Sequence, residues 1–180
     1  MKICDTVNSK LYKNDRAILH SDCNCFYASV ECLLNPNIRD LPVAVSGDAE
    51  NRHGIILAKN EEAKKYNIKT GEAIWQAKKK CPQLLTVPAR LDVYKKFSDK
   101  VRRIYSDYTD MVEPFGLDEA WLDISEDYKN DALTIAKEIS QRVKDEIGIT
   151  VSIGVSFNKI FAKFGSDYKK PDAITCITRD

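Results

Sequence analysis

The sequence has 180 residues, enough for one compact domain or two small ones. Hydrophobic residues at 43% and charged residues at 31% support a sizeable core and exclude wholesale disorder. The 28 Lys and Arg against 27 Asp and Glu leave a net charge of +1, which excludes a stand-alone basic DNA coat but not a local basic face. No apolar run approaches the roughly 20 residues that span a bilayer, and the opening MKICDTVNSKLYKNDRA lacks the apolar region of a secretory signal. A cytoplasmic chain with no membrane partner is the expectation. The six cysteines are then expected as reduced thiols rather than disulfides. A zinc site at His20, Cys23, Cys25 and Cys32 is the sharper alternative, weakened because no Cys-x-x-Cys knuckle occurs.

In chain order, residues 17–22 (AILHSD) read as a short buried strand. Residues 43–46 (VAVS) and 54–58 (GIILA) give two more, separated by a polar loop, GDAENRH, with turn chemistry. Residues 61–66 and 72–80 look helical, the second closed at Cys81-Pro82. Leu91, Tyr94, Phe97, Val101, Ile104, Tyr105 and Tyr108 recur at helical spacing and predict an amphipathic helix. Residues 120–124 alternate as a strand with Ala120, Leu122 and Ile124 on one face. Ala132, Ile135, Ala136, Ile139 and Val143 predict a helix over 131–147, with Gly148 where a C-cap belongs. Residues 149–156 form a β-branched strand, 158–170 a basic helix and 173–178 a last strand. This order suggests an α+β fold with helices on one face of a mostly antiparallel sheet, and the segment between about Phe26 and Pro88 reads as a smaller inserted lobe.

The chemistry concentrates at two acidic positions. Asp22 ends a strand, and Asp118-Glu119 lie between Gly116 and another strand. Carboxylates brought together this way repel one another unless a hard divalent cation neutralises them, and Mg²⁺ prefers such oxygen ligands. Two Mg²⁺ ions sharing carboxylates would form a clamp for in-line displacement at phosphorus. The plainer reading is turn chemistry at 116–119 and an Asp22 that caps the helix starting near Phe26. A regular strand points residues 118 and 119 to opposite faces, so joint ligation requires a turn or bulge there. No glycine-rich phosphate loop occurs, so any nucleotide would be held by isolated cations. Lys159, Lys163, Lys169 and Lys170 cluster in and after the last helix; a solvated helix face explains them equally well, and Lys78-Lys79-Lys80 more so.

DCNCFYASVE (22–31), PVAV (42–45), IWQAKKKCP (74–82), VEPFGLDEAWLDIS (112–125) and VSIGVSFNKIFAKFGSDYKKP (151–171) resemble one family closely. They are similar to the palm and fingers of Y-family translesion DNA polymerases, the DinB/UmuC-like group. The resemblance implies a ferredoxin-like palm at 1–25 and 89–180, a small α/β fingers lobe at 26–88, and thumb and little-finger domains outside this chain. It implies that Asp22, Asp118, Glu119 and the main-chain carbonyl of Cys23 bind two Mg²⁺ ions, with Glu119 catalytic beside Asp118 and Asp22. It further implies that Tyr27 is a steric gate against the ribose 2′-hydroxyl, and that Phe26, Lys64 and Lys170 belong to the nucleotide site. The implied partners are primer–template DNA, a deoxynucleoside triphosphate and a sliding clamp reached through the C-terminal part. The implied activity is low-fidelity damage bypass, feeble in the catalytic half alone.

Two departures from the family pattern stand out. Asn24 replaces the second aspartate of a D-x-D motif. Glu61 and Lys64 replace a Tyr-x-x-Arg pair, so the planar two-pronged grip of arginine is lost and a negative charge is added. These motivate a second reading, a polymerase-like accessory protein in the damage response. A palm-type nucleotide cyclase is a third, disfavoured by the inserted lobe and Tyr27.

Overall fold

A computed structural model of the chain describes residues 2–4, 15–47, 54–126 and 132–179. Its elements are β1 (Lys2–Cys4), β2 (Ile18–Cys23), α1 (Phe26–Leu34), a 3-10 turn (Pro36–Ile38), β3 (Val43–Ser46), β4 (Ile56–Lys59), α2 (Glu61–Lys64), α3 (Ile74–Lys80) and β5 (Leu85–Pro88). They continue with α4 (Leu91–Ser106), β6 (Val112–Phe115), β7 (Glu119–Asp123), α5 (Ala132–Arg142) with a π-helical turn (Val143–Ile147), β8 (Val151–Ser156), α6 (Lys159–Tyr168) and β9 (Ile174–Thr178). The chain divides into two units, residues 1–24 with 96–180 and residues 25–95.

The larger unit is a six-stranded sheet in the order β1-β9-β8-β2-β7-β6. Every neighbouring pair is antiparallel except β8 and β9, which are parallel and joined through α6. Strand β2 lies in the middle, and all six of its residues are buried, polar ones included. Its alternation therefore separates two covered faces rather than core from water. Ser21 and Cys23 point to one face, where the Tyr105 hydroxyl of α4 meets Ser21 Oγ at 2.8 Å. Arg142, at the end of α5, stacks over the Tyr108 ring and pairs with Asp107, which brings α5 beside α4. The two longer helices thus share one face, whereas the sequence reading places the helices on one face throughout. The basic helix α6 takes the other, with Ser166 against His20.

That helix sits unusually close to the sheet. A Cβ on Gly154 of β8 would stand 1.8 Å from the Ala162 carbonyl oxygen and 2.5 Å from the Ser166 amide nitrogen. Only glycine permits this approach.

The predicted helix at 131–147 narrows to Ala132–Arg142, its last turn widening to a π turn; Asp131 lies outside the described residues. Gly148 ends it in the left-handed region at φ 86, its amide donating to the Val143 and Lys144 carbonyls. Replacing Gly148 by alanine forces an L-residue into that region and should destabilise the unit by about 1 kcal/mol, measurable by chemical denaturation.

The smaller unit holds a three-stranded sheet in the order β4-β3-β5, antiparallel at β3–β4 and parallel at β3–β5. Ala44, Ile56, Ala63, Ile68, Ala77, Cys81 and Leu84 form its core. Asn60 caps α2 by accepting from the Ala63 amide and also accepts from the Val43 amide, tying helix to sheet. The helix expected over 61–66 stops at Lys64, because Asn67 turns left-handed at φ 55. The strand expected over 54–58 shifts to Ile56–Lys59, since Gly54 and Ile55 instead engage Ile74 and Ala73. Most of the GDAENRH loop lies outside the described residues.

Candidate active site

Asp22 and Glu119 are direct cross-strand partners in the β2–β7 ladder. Their side chains therefore share the α6 face, with Cβ atoms about 5 Å apart. Phe115 pairs with Glu119, so Gly116, Leu117 and Asp118 form the turn between β6 and β7, with Gly116 at φ 69. This turn frees Asp118 from strand alternation. Its carbonyl accepts from the Cys23 amide at 2.9 Å, which anchors the turn to the end of β2. Asp22 does not cap a helix: α1 begins after Cys25, whose own φ of 51 bends the chain, and no side chain caps it.

The electrostatics reflect this crowding. Burial raises the Asp22 carboxyl above the usual range; Lys170 opposes the shift, and Glu119 and Asp118 add to it. Burial also raises Asp118, with Glu119 contributing. Two lysines supply the counter-charge. Lys163 Nζ lies 2.5 Å from Glu119 Oε2. Lys170 pairs with Asp22 and, at 2.7 Å, with Asp167; despite its own desolvation these partners raise its pKa. The carboxylates are thus drawn toward ammonium groups. Among the described residues, no group of three or more His, Cys, Asp or Glu side chains already converges as a metal cage.

The donor set nevertheless suits one kind of cation. Asp22, Asp118 and Glu119 offer only oxygen, their mutual repulsion favours added positive charge, and hard Mg²⁺ matches such ligands. The zinc alternative finds no such support. His20 spends both ring nitrogens on Glu119 and Ser166, while Cys23 lies on the opposite face near Tyr105. Cys25 bonds Glu61, and Cys32 lies against Asn60. Cys23, Cys25, Cys32, Cys81 and Cys176 are all free thiols.

Asn24, at the departure from D-x-D, has a structural task. Its amide donates to Thr150 Oγ1 at 3.0 Å and its carbonyl accepts from Ser152 Oγ at 2.8 Å, pinning the end of β2 to β8. A carboxylate could not donate the first of these bonds.

Within the smaller unit, Tyr27 is half-buried and stacks on Tyr94 with centroids 4.3 Å apart. Tyr94 is held by Glu31, which accepts from its hydroxyl and from Arg90. Phe26 is buried against both tyrosines. Lys64 is ion-paired with Glu61 at 2.7 Å, and Glu61 also takes the Cys25 thiol at 3.2 Å. Lys64 and Lys170, both expected in the nucleotide site, therefore each hold a carboxylate here. Lys159 pairs with Glu113.

Sequence reasoning missed the roles of His20, Ser166 and Gly154. His20 is fully buried under Glu119, its Nε2 3.0 Å from Oε2, and burial followed by the Lys163 charge lowers its pKa to about 4. The only signal was a histidine two residues before Asp22 in a buried strand.

A family model described as the impB/mucB/samB family matches residues 21–167, and the chain belongs to that family. A DNA polymerase IV of Acetivibrio thermocellus is 60% identical over 167 residues, covering 92% of this chain and 42% of that protein. The solved structure of DinB from Sulfolobus solfataricus superposes with a TM-score of 0.86 at 31% identity, covering 91% of this chain and 48% of its own. An insertion ternary complex of Dbh DNA polymerase gives 0.85 at 31% identity, covering 89% and 48%. The chain thus spans less than half the length of these relatives.

Proposed function

We propose that the chain is the catalytic portion of a Y-family DNA-directed DNA polymerase. It would join a deoxynucleoside triphosphate to a primer 3′-hydroxyl and release pyrophosphate, copying damaged templates with low fidelity. The observation that carries this reading is the pairing of Asp22 with Glu119 across β2 and β7 with Asp118 in the adjoining turn, three carboxylates served by two lysines. The larger unit is read as the palm and the smaller as the fingers.

Asp22, Asp118, Glu119 and the main-chain carbonyl of Cys23 would hold two Mg²⁺ ions. The bound ions would neutralise charge on the transferring phosphoryl group and activate the primer hydroxyl. The protein's own part is positioning and charge. Asp118 is fixed by its backbone bond to Cys23, and Glu119 by the ladder. With the carboxylates engaged by a cation, Lys163 and Lys170 would be free of their ion pairs to Glu119 and Asp22. Lys170 of the larger unit would then be available to a triphosphate, and in the smaller unit Phe26 and Lys64 would serve the nucleotide. Tyr27, braced by stacking on Tyr94, excludes a ribose 2′-hydroxyl. Primer–template DNA would be the partner, with a sliding clamp as a second. The setting is the cytoplasm; among the described residues no helix is long and apolar enough to cross a membrane.

The Glu61–Lys64 ion pair favours one other reading, an accessory protein that binds DNA without catalysis. Single-nucleotide insertion separates the two. The native protein should insert deoxynucleotides in Mg²⁺ and reject ribonucleotides, and Tyr27→Ala should cut that sugar selectivity at least tenfold. Intact DNA binding without Mg²⁺-dependent insertion would leave the accessory reading.

A further inference from the structure

His20 has no exposed surface, lies in the middle of β2, and has no task in the reaction above. A buried imidazole requires hydrogen-bond partners, and this one has two. Nε2 lies 3.0 Å from Glu119 Oε2, and Nδ1 lies 2.7 Å from Ser166 Oγ. A carboxylate only accepts, so the neutral ring carries its proton on Nε2 and donates to Glu119. Nδ1 then shares the single proton of the Ser166 hydroxyl with the Lys163 carbonyl, which lies 2.8 Å from the same oxygen. The ring is further clamped by Trp121, edge-on at 4.8 Å. Its neighbour on β8 is Gly154, whose missing side chain lets α6 bring Ser166 within reach.

Glu119 has a second partner, Lys163 Nζ at 2.5 Å, on the same oxygen. The two partners differ in kind. Lys163 is a flexible, partly exposed ammonium that a divalent cation would replace. The His20–Ser166 pair is rigid and fully enclosed, so it stays when the lysine leaves.

We propose that His20 is a positioning residue: together with Ser166 it aims the Glu119 carboxylate, so that its orientation is already set before a cation arrives. The inference rests on the polymerase reading for its purpose, but its physical content is a pre-aimed ligand. Groups behind a ligand that fix its orientation are worth about 10–100-fold in metal affinity or activity.

The test is a Mn²⁺ titration of the native protein and its variants, read by water-proton relaxation, with thermal melting to confirm folding. His20→Leu should weaken Mn²⁺ binding at least tenfold, and Ser166→Ala several-fold. His20→Gln, whose amide N–H stands in for Nε2–H, should recover binding to within about threefold of the parent. Imidazole ¹⁵N shifts of the parent should place the proton on Nε2. Mn²⁺ affinity in His20→Leu within twofold of the parent, a parent that binds no Mn²⁺, or a proton found on Nδ1 would overturn the proposal. If His20→Leu fails to fold, Ser166→Ala and the tautomer decide. Primer extension is scored separately. His20-dependent Mn²⁺ binding in a protein that extends no primer would sink the polymerase reading and leave the positioning role standing.

Discussion

Gly154→Ala is expected to be the most damaging single methyl group in the chain. The new Cβ would lie 1.8 Å from the Ala162 carbonyl oxygen and 2.5 Å from the Ser166 amide nitrogen, both backbone atoms of α6 that no rotamer change can remove. The helix must lift away or β8 must yield. Overpacking of this kind costs about 1–3 kcal/mol where side chains can give way, and a backbone clash belongs at or beyond the upper end. Gly165 has no room to give on the helix side, since a Cβ there would stand 3.1 Å from the Gly154 Cα. The functional loss should exceed the stability loss. Helix α6 carries Lys163 and Ser166, and Lys170 follows it, so a displacement of about 1 Å would disturb three groups of the site and lower primer extension about 10²-fold. Gly47→Ala is the control: among the described residues nothing lies within 4 Å of its Cβ, and its stability should stay within about 0.5 kcal/mol of the parent. Denaturation curves beside extension rates check both.

Asp118→Asn is expected to separate stability from activity in the opposite direction. Asp118 is buried beside like charges, and burial and Glu119 both penalise its ionised form. The asparagine keeps its shape and leaves the bond from the Cys23 amide to the residue-118 carbonyl intact. Removing one like charge should therefore stabilise the cation-free protein by about 1 kcal/mol. Melting in EDTA should show a midpoint a few degrees above the parent. Extension in Mg²⁺ should fall about 10³-fold or more, because a neutral amide is a poor ligand for a hard cation. A structural aspartate would behave otherwise, losing stability and leaving the reaction rate untouched.

Much of this was legible in the chain. Strands β2, β7, β8 and β9 and helices α4, α5 and α6 announce themselves through alternation, β-branching or helical spacing. Strands β1, β5 and β6 did not. Each has three or four residues, β5 and β6 contain proline, and β6 is largely exposed, so no buried period marks it. Pro114 is tolerated because β6 is the sheet's edge. Asp22, Asp118 and Glu119 stood out as acids at strand ends, but whether 118 and 119 could act together depended on the turn at Gly116, which spacing alone could not decide. Asn24 stood out only as a departure from D-x-D, and its bonds to Thr150 and Ser152 show why an amide sits there. His20 could only be read as a metal-ligand candidate, because its partners lie 99 and 146 residues away along the chain. Gly154 drew no reading within the β-branched strand expected over 149–156, because its purpose is set by α6, a separate element.

Primer extension by the native protein in Mg²⁺, beside its Glu119→Gln variant, tests the central claim most directly. The account predicts extension by the parent and none by the variant, with both folded and binding DNA equally. Extension by Glu119→Gln at the parent's rate, or silence from both with DNA binding intact, would contradict it.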